Sequence, residues 1–276
     1  MIKDLVVNLA IGKPHDVAAE YAVAIARAFE AHLTAVAFAY EPVVPPSVMG
    51  GIPADVIEAQ WVASDSAADK AISRFEAAAK RDGIAAEHRK LTASIGGAGD
   101  LFGRLARRFD LAVMAQAEPK QGPAESLVIE GTLFGSGRPV IVVPYIHKGG
   151  LRLGRVLVCW DGSRPAARAI ADAMPFLARS AAAEVVIVAS GREKSGEIAG
   201  VDMGEHLARH DVKIEVKRIV SADVDVPNTI LSHVADSGAD FIVMGGFGHS
   251  RLREFVLGGA TNGILAAMTV PTLMSH

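Results

Sequence analysis

One cysteine, Cys159, stands in 276 residues. An internal disulfide and a zinc site built on cysteines are therefore excluded, which fits a reducing compartment. Aromatic residues are scarce at 5%, and the two tryptophans, Trp61 and Trp160, do not form the stacking series that single-stranded nucleic acid requires. Excess positive charge is also missing. With 28 basic and 31 acidic residues the formal charge is -3, without the field that holds a duplex or an anionic membrane. Neither nucleic acid nor membrane is expected as a partner. No uninterrupted apolar run reaches membrane-spanning length, and Met1-Ile2-Lys3-Asp4 lacks the regions of a signal peptide, so a soluble, cytoplasmic protein is expected. What is plentiful is apolar, half of the chain, with much Ala, Val and Gly, a balance suited to helices packed closely on a buried parallel sheet.

The chain reads as two unequal copies of one unit. Asp110-Leu-Ala-Val-Met-Ala-Gln116 matches Asp240-Phe-Ile-Val-Met-Gly-Gly246 at an offset of 130, and Pro139 matches Pro271 at an offset of 132. The opening strands, Leu5–Leu9 and Val156–Trp160, match at an offset of 151. The 21-residue surplus thus lies early in the first copy, and 41–60, with Pro42, Pro45, Pro46, Gly50, Gly51 and Pro53, has the composition of an inserted loop. The boundary falls near His147–Gly150, giving domains 1–146 and 151–276. In the second copy, apolar runs at 155–160, 184–189, 213–220, 240–244 and 270–274 alternate with helical patterns at 165–180, 200–210, 226–237 and 258–269. Such alternation implies parallel strands joined by crossovers, with helices on both faces. Both last strands begin beside a proline, which suits a sheet edge. Two similar copies could cover those edges by pairing them about a pseudo-twofold axis.

The strongest chemical signal follows the run 240–244. Gly245 and Gly248 come directly after a strand, and Gly258 and Gly259 directly before a helix opening at Ala260. In an open parallel sheet, ligands lie at the carboxyl ends of the strands, and glycine lets backbone N–H groups approach an anion closely. A phosphate suits that place, aided by the positive end of the helix and by a hydroxyl from Ser250 or Thr261. Glycine alone, though, also serves simple tight turns and names no ligand.

Gly245-x2-Gly248-x9-Gly258, with Val156-Leu-Val-Cys-Trp-Asp-Gly-Ser163 and Asp240–Gly245, resembles the nucleotide-binding signature of the universal stress protein family. The similarity spans 155–275 and, more weakly, 3–144. It implies two tandem five-stranded parallel sheets, open α/β/α sandwiches of the adenine-nucleotide alpha hydrolase-like kind, packed as an intramolecular pseudo-dimer. It also implies ATP, alone or with magnesium, in the second copy. The adenine end would fall to Asp161 and its neighbour Gly162, and the phosphates to Gly245, Gly248, His249, Gly258, Gly259 and Ala260. One departure is Gly259, where the family carries Ser or Thr; a hydroxyl beside the phosphates and any metal is lost. The first copy departs further, with Ala10 in place of Asp161, and Ala115 and Glu118 in place of Gly245 and Gly248. Glu118 would repel a triphosphate, while Gly131-Thr132 reads as a remnant of the later half of the motif. The first copy is expected to be a degenerate partner.

Remaining candidates carry less. Asp161-Gly-Ser163 also has the form of a turn that caps the next helix. Arg251 and Arg253 suit phosphate oxygens or plain solvent. His206 and His210 are four apart on a helical pattern, but no Glu-x-x-His accompanies them, so no metal site is assigned. Cys159 reads as inert core. No Gly-x4-Gly-Lys-Ser/Thr, Gly-x-Ser-x-Gly or spaced carboxylate pair is present, so no catalytic residue is assigned. Three readings follow: an ATP-binding regulatory protein with its ligand in the second copy, a stress-linked scaffold that binds an unknown protein and no nucleotide, and a weak ATPase. Self-contained pseudo-dimer and homodimer both remain open.

Overall fold

The structure is a computed structural model that describes residues 1–42, 53–119, 121–189, 200–220, 225–246 and 259–276. The chain divides into two compact units, one of residues 2–138 with 148–151 and one of residues 139–147 with 152–276. The first contains β1 (Asp4–Asn8), α1 (Val17–Phe29), β2 (His32–Tyr40), α2 (Ala54–Arg81), β3 (Ala86–Ala93), α3 (Ile95–Ala106), β4 (Leu111–Ala115) and α4 (Ala124–Gly135). The second contains β5 (Val140–Val143), β6 (Arg155–Cys159), α5 (Arg164–Leu177), β7 (Ala182–Ala189), α6 (Val201–Ala208), β8 (Ile214–Val220), α7 (Val226–Ser237), β9 (Phe241–Gly245), α8 (Ala260–Ala267) and β10 (Thr272–Ser275).

In the first unit the strands run parallel in the order β3-β2-β1-β4. The central β1 and β4 are apolar without alternation, and Leu5, Val6, Val7 and Leu111–Met114 are buried, as expected of strands covered on both faces. The outer β3 instead exposes Glu87, His88, Arg89 and Lys90. Its Lys90 ammonium lies 2.9 Å from both Asp65 and Asp69 on α2, a charged edge that resists pairing with another chain. The second unit has β10-β9-β6-β7-β8 in parallel. β5 lies antiparallel to β10, with Ile141 opposite Leu273. The two last strands therefore pair, each just after its proline.

The repeated aspartate has the same role in both copies. Asp110 Oδ2 accepts hydrogen bonds from the N–H groups of Lys3 (2.8 Å) and Asp4 (3.1 Å). Asp240 accepts from Gly154 (2.9 Å) and Arg155 (3.3 Å). Each carboxylate fastens the start of its neighbouring strand. Helix starts are fixed by side chains as well: Asp16 caps α1, Ser94 caps α3, Ser163 caps α5 and Asp225 caps α7, each accepting from an amide in the first turn.

The expected 41–60 loop needs correction. Residues 43–52 lie outside the described residues, but 54–60 are the first turns of α2. That helix has 28 residues, whereas its counterpart α6 has 8, so the difference of 20 accounts for nearly the whole surplus. The prolines and glycines that suggested a loop end at Pro53, and the following Ala-, Glu- and Gln-containing stretch has good helix propensity.

Candidate functional site at the strand ends

Four residues join β6 to α5, 160–163. Asp161 is exposed, and its Oδ1 accepts from the Ser163 N–H at 2.9 Å. Gly162 adopts φ 75°, a left-handed conformation natural to glycine. Ser163 Oγ in turn accepts from the Ala166 N–H at 3.2 Å. The turn-and-cap arrangement is thus present, and a second Asp161 oxygen remains on the exposed side chain.

Gly245, at the end of β9, meets that same helix start. A Cβ at Gly245 would stand 2.6 Å from Ala166 N and 2.9 Å from Pro165 Cβ. Glycine is required here by packing, and the contact brings Gly245 beside the segment carrying Asp161 and Gly162. Gly246 N–H donates to Ser275 O at 2.8 Å. Gly259 occupies the position before α8, with φ -52° and no side-chain cap, so its conformation does not require glycine. Ala260 opens the helix, whose first amides have no intrahelical acceptor. Because β9 and β10 are parallel neighbours, the helix between them begins at the carboxyl end of the strands. Farther along, a Cβ at Gly263 would stand 2.4 Å from Pro227 Cγ, which seats α8 on α7. Gly248, His249 and Gly258, with Ser250, Arg251 and Arg253, lie outside the described residues.

The universal stress protein family model matches residues 153–276. The C-terminal half of this chain is a universal stress protein domain. A curated relative, universal stress protein Slr1230 of Synechocystis, is 28% identical over 142 residues, covering 49% of this chain. The chain spans less than half of that relative, 46% of its length. Among solved structures, a universal stress protein of Archaeoglobus fulgidus matches with TM-score 0.70 at 16% identity, over 98% of this chain and 94% of its own. A functionally unknown protein of Pseudomonas aeruginosa matches with TM-score 0.61 at 15% identity, over 99% and 92%. At these identities the likeness is one of fold: α/β with open, mostly parallel sheet.

The corresponding strand ends of the first unit are built differently. Eight residues, 9–16, join β1 to α1, twice the universal stress protein domain's four. Ala10 N–H donates to Asp16 Oδ2 at 2.7 Å, and Asp16 Oδ1 accepts from Ala19 N–H at 3.0 Å. Burial pushes the Asp16 carboxyl up, against those backbone bonds. The longer loop also carries Lys13, whose ammonium lies 2.8 Å from Glu118 and 3.3 Å from Glu125. Burial works against the Lys13 charge, but the two carboxylates outweigh it and hold its pKa above the ordinary value. Tyr40, half-buried and near Glu125, is pushed up to about 12 by its partial burial and by that charge. Internal ion pairing occupies Glu118. The spacing of the repeat gave no sign of it, because Lys13 lies in residues absent from the second copy.

Gly131-Thr132 also needs correction as a remnant of the phosphate motif. Both lie inside α4, where a Cβ at Gly131 would stand 2.5 Å from the Gly99 carbonyl carbon and one at Gly103 2.7 Å from Gly131 O. These glycines let α3 and α4 approach closely. At the repeat's offset of 132, Gly131 corresponds to Gly263, another helix-packing glycine.

His206 and His210 do meet, edge to face with ring centroids 4.9 Å apart; among the described residues no three His, Cys, Asp or Glu side chains gather as a metal set. Cys159 is partly exposed at the end of β6, with its thiol pushed up to about 12 by burial and by the nearby Asp161 charge. A separate cleft of about 610 Å³ is lined by Arg155, Glu184, Glu215, Lys217, His233 and Asp236. Its floor holds a buried pair that sequence did not single out, Glu184 and His233 at 3.1 Å. Arg155 is the first residue of β6, so this cleft lies at the opposite strand ends from Asp161. No helix among the described residues is long and apolar enough to cross a membrane.

Proposed function

We propose that the universal stress protein domain of this chain binds ATP at the carboxyl ends of β6 and β9, as a regulatory protein that senses the nucleotide. The observation that carries the reading is the close packing of Gly245 on Pro165 and Ala166. It sets the end of β9, where the Gly245-x2-Gly248-x9-Gly258 pattern begins, beside the Asp161-Gly162 turn, which supports a single site for both. In that arrangement Asp161 and Gly162 contact the adenine end, while the backbone at Gly245, Gly248, Gly258, Gly259 and Ala260, with His249, receives the phosphates. Magnesium, where present, would be held through the phosphates, because Gly259 supplies no hydroxyl. The first unit takes no part in binding: Glu118 and Glu125 would oppose a triphosphate, and Lys13 is already committed to both.

Isothermal titration of the full chain with ATP tests this. The expected result is saturable binding at one site, abolished or strongly weakened in Asp161→Ala and Gly248→Glu. Absence of heat at millimolar ATP would overturn it.

A second reading, that the chain is a scaffold for another protein, draws on the first turns of α2, where Val56 and Val62 are exposed in a helix far longer than its counterpart. Partner affinity unaltered by Gly248→Glu would favour that reading.

A further inference from the structure

The cleft of about 610 Å³ beside α7 is floored by ionisable groups that the fold does not require. Glu184 and His233 are 3% and 7% exposed. In the first unit their places are filled without charge. Leu157, which pairs with Glu184, repeats Val6 at the offset of 151, and Val6 pairs with Thr34. His233 and Phe102 each stand eight residues beyond a helix cap, Asp225 and Ser94. Thr34 and Phe102 are both buried, so neutral residues pack the same layer, and such a replacement of a buried ionic pair is often neutral or stabilising.

The cluster leaves particular positions open. His233 Nε2 lies 3.1 Å from Glu184 Oε1. A carboxylate accepts, so Nε2 carries the proton and Nδ1 of the neutral ring is an acceptor. Nδ1 has no hydrogen-bond partner among the described residues. Arg155 Nη1 donates to Glu184 Oε2 at 3.4 Å and lies 3.6 Å from Glu215, which commits the guanidinium. Glu184, Glu215 and Lys217 share one face of the sheet, since Glu184 stands beside Glu215 and Val186 beside Lys217. Lys217 and Asp236, both exposed and both lining the cleft, make no ion pair among the described residues. Asp236 also sits in the last turn of α7, where the helix end disfavours an anion and favours a cation.

We propose that this cleft binds a small zwitterion of the free α-amino acid class, its ammonium donating to His233 Nδ1 and Asp236 and its carboxylate meeting Lys217. Glu184 holds the imidazole in the tautomer that accepts. The cleft lies at the opposite strand ends from Asp161, so this ligand and the nucleotide stand or fall separately.

The test is NMR of the isotope-labelled full chain, reading the His233 ring nitrogens during titration with a mixture of the free amino acids. Saturable movement of Nδ1 at millimolar ligand is expected. Butylamine and butyrate, each carrying one of the two charges, should have no such effect. Lys217→Ala, at an exposed position, should weaken the response about three- to tenfold, the range for one lost hydrogen bond. Glu184→Thr combined with His233→Phe installs the first unit's neutral residues, and the amides of Lys217 and Asp236 should then cease to respond. An unmoved Nδ1, an equal response to butylamine, or an unaltered affinity in Lys217→Ala would overturn the proposal.

Discussion

Gly245 lies against the first turn of α5 so closely that a Cβ would stand 2.6 Å from the nitrogen of Ala166. Backbone is what it meets, so the clash cannot be relieved by turning a side chain. In the first unit the corresponding residue is Ala115, tolerated where the loop into α1 is four residues longer. Gly245→Ala is therefore expected to destabilise the second unit by about 1–3 kcal/mol, the usual range for overpacking. It should also displace the turn at Asp161 and weaken ATP. Denaturant unfolding and ATP titration of the variant check both effects.

Lys13 neutralises two carboxylates at the strand ends of the first unit. Lys13→Met leaves Glu118 and Glu125 facing each other without the ammonium, a loss of about 2 kcal/mol at pH 8. In the wild-type chain the Lys13 pKa is raised. Its stabilisation is thus complete below the unfolded lysine value and is lost as pH rises through the folded value. Unfolding curves of the wild-type chain and of Lys13→Met at pH 8 and above pH 10.5 follow this directly.

How much of this was legible beforehand depended on what each residue answers to. The alternation of strands and helices was readable because buried strands and amphipathic helices impose their periods on sequence. The predicted 226–237 helix agrees with α7 residue for residue. Asp110 and Asp240 were readable as a repeat, but not as anchors for Lys3 and Gly154, contacts across more than 80 residues of chain. The 41–60 segment misled because prolines before Pro53 masked a helix that starts just after it. Gly131-Thr132 misled for a related reason: a glycine needed for helix–helix approach and one needed for a phosphate are the same letter. Lys13 acts through tertiary partners, so no local pattern marks it.

Cys159 is partly exposed, and burial together with the nearby Asp161 charge pushes its thiol up from 9.0 to about 12. Only the thiolate attacks a disulfide reagent, and three pKa units lower its population at pH 8 by about a thousandfold. Reaction with a chromogenic disulfide at pH 8 should be slow in the folded protein and fast after denaturation. Asp161→Asn removes one cause of the shift and should modestly speed the folded reaction.

Gly259 leaves α8 without a side-chain cap. Gly259→Ser supplies an oxygen for a first-turn amide, adding a few tenths of a kcal/mol to stability, and places a hydroxyl beside the proposed phosphate site. ATP affinity and its dependence on magnesium should both increase. A variant with unaltered affinity at every magnesium concentration would place that hydroxyl away from the ligand.

The most direct measurement is an amide NMR map of the isotope-labelled full chain during titration with ATP. Shifts should concentrate at Gly162, Gly245, Gly246 and Ala260, with Ala10, Ala115 and Glu118 unmoved. Perturbation centred instead on Ala10 and Glu118, or none at millimolar ATP, would contradict a nucleotide site in the C-terminal unit.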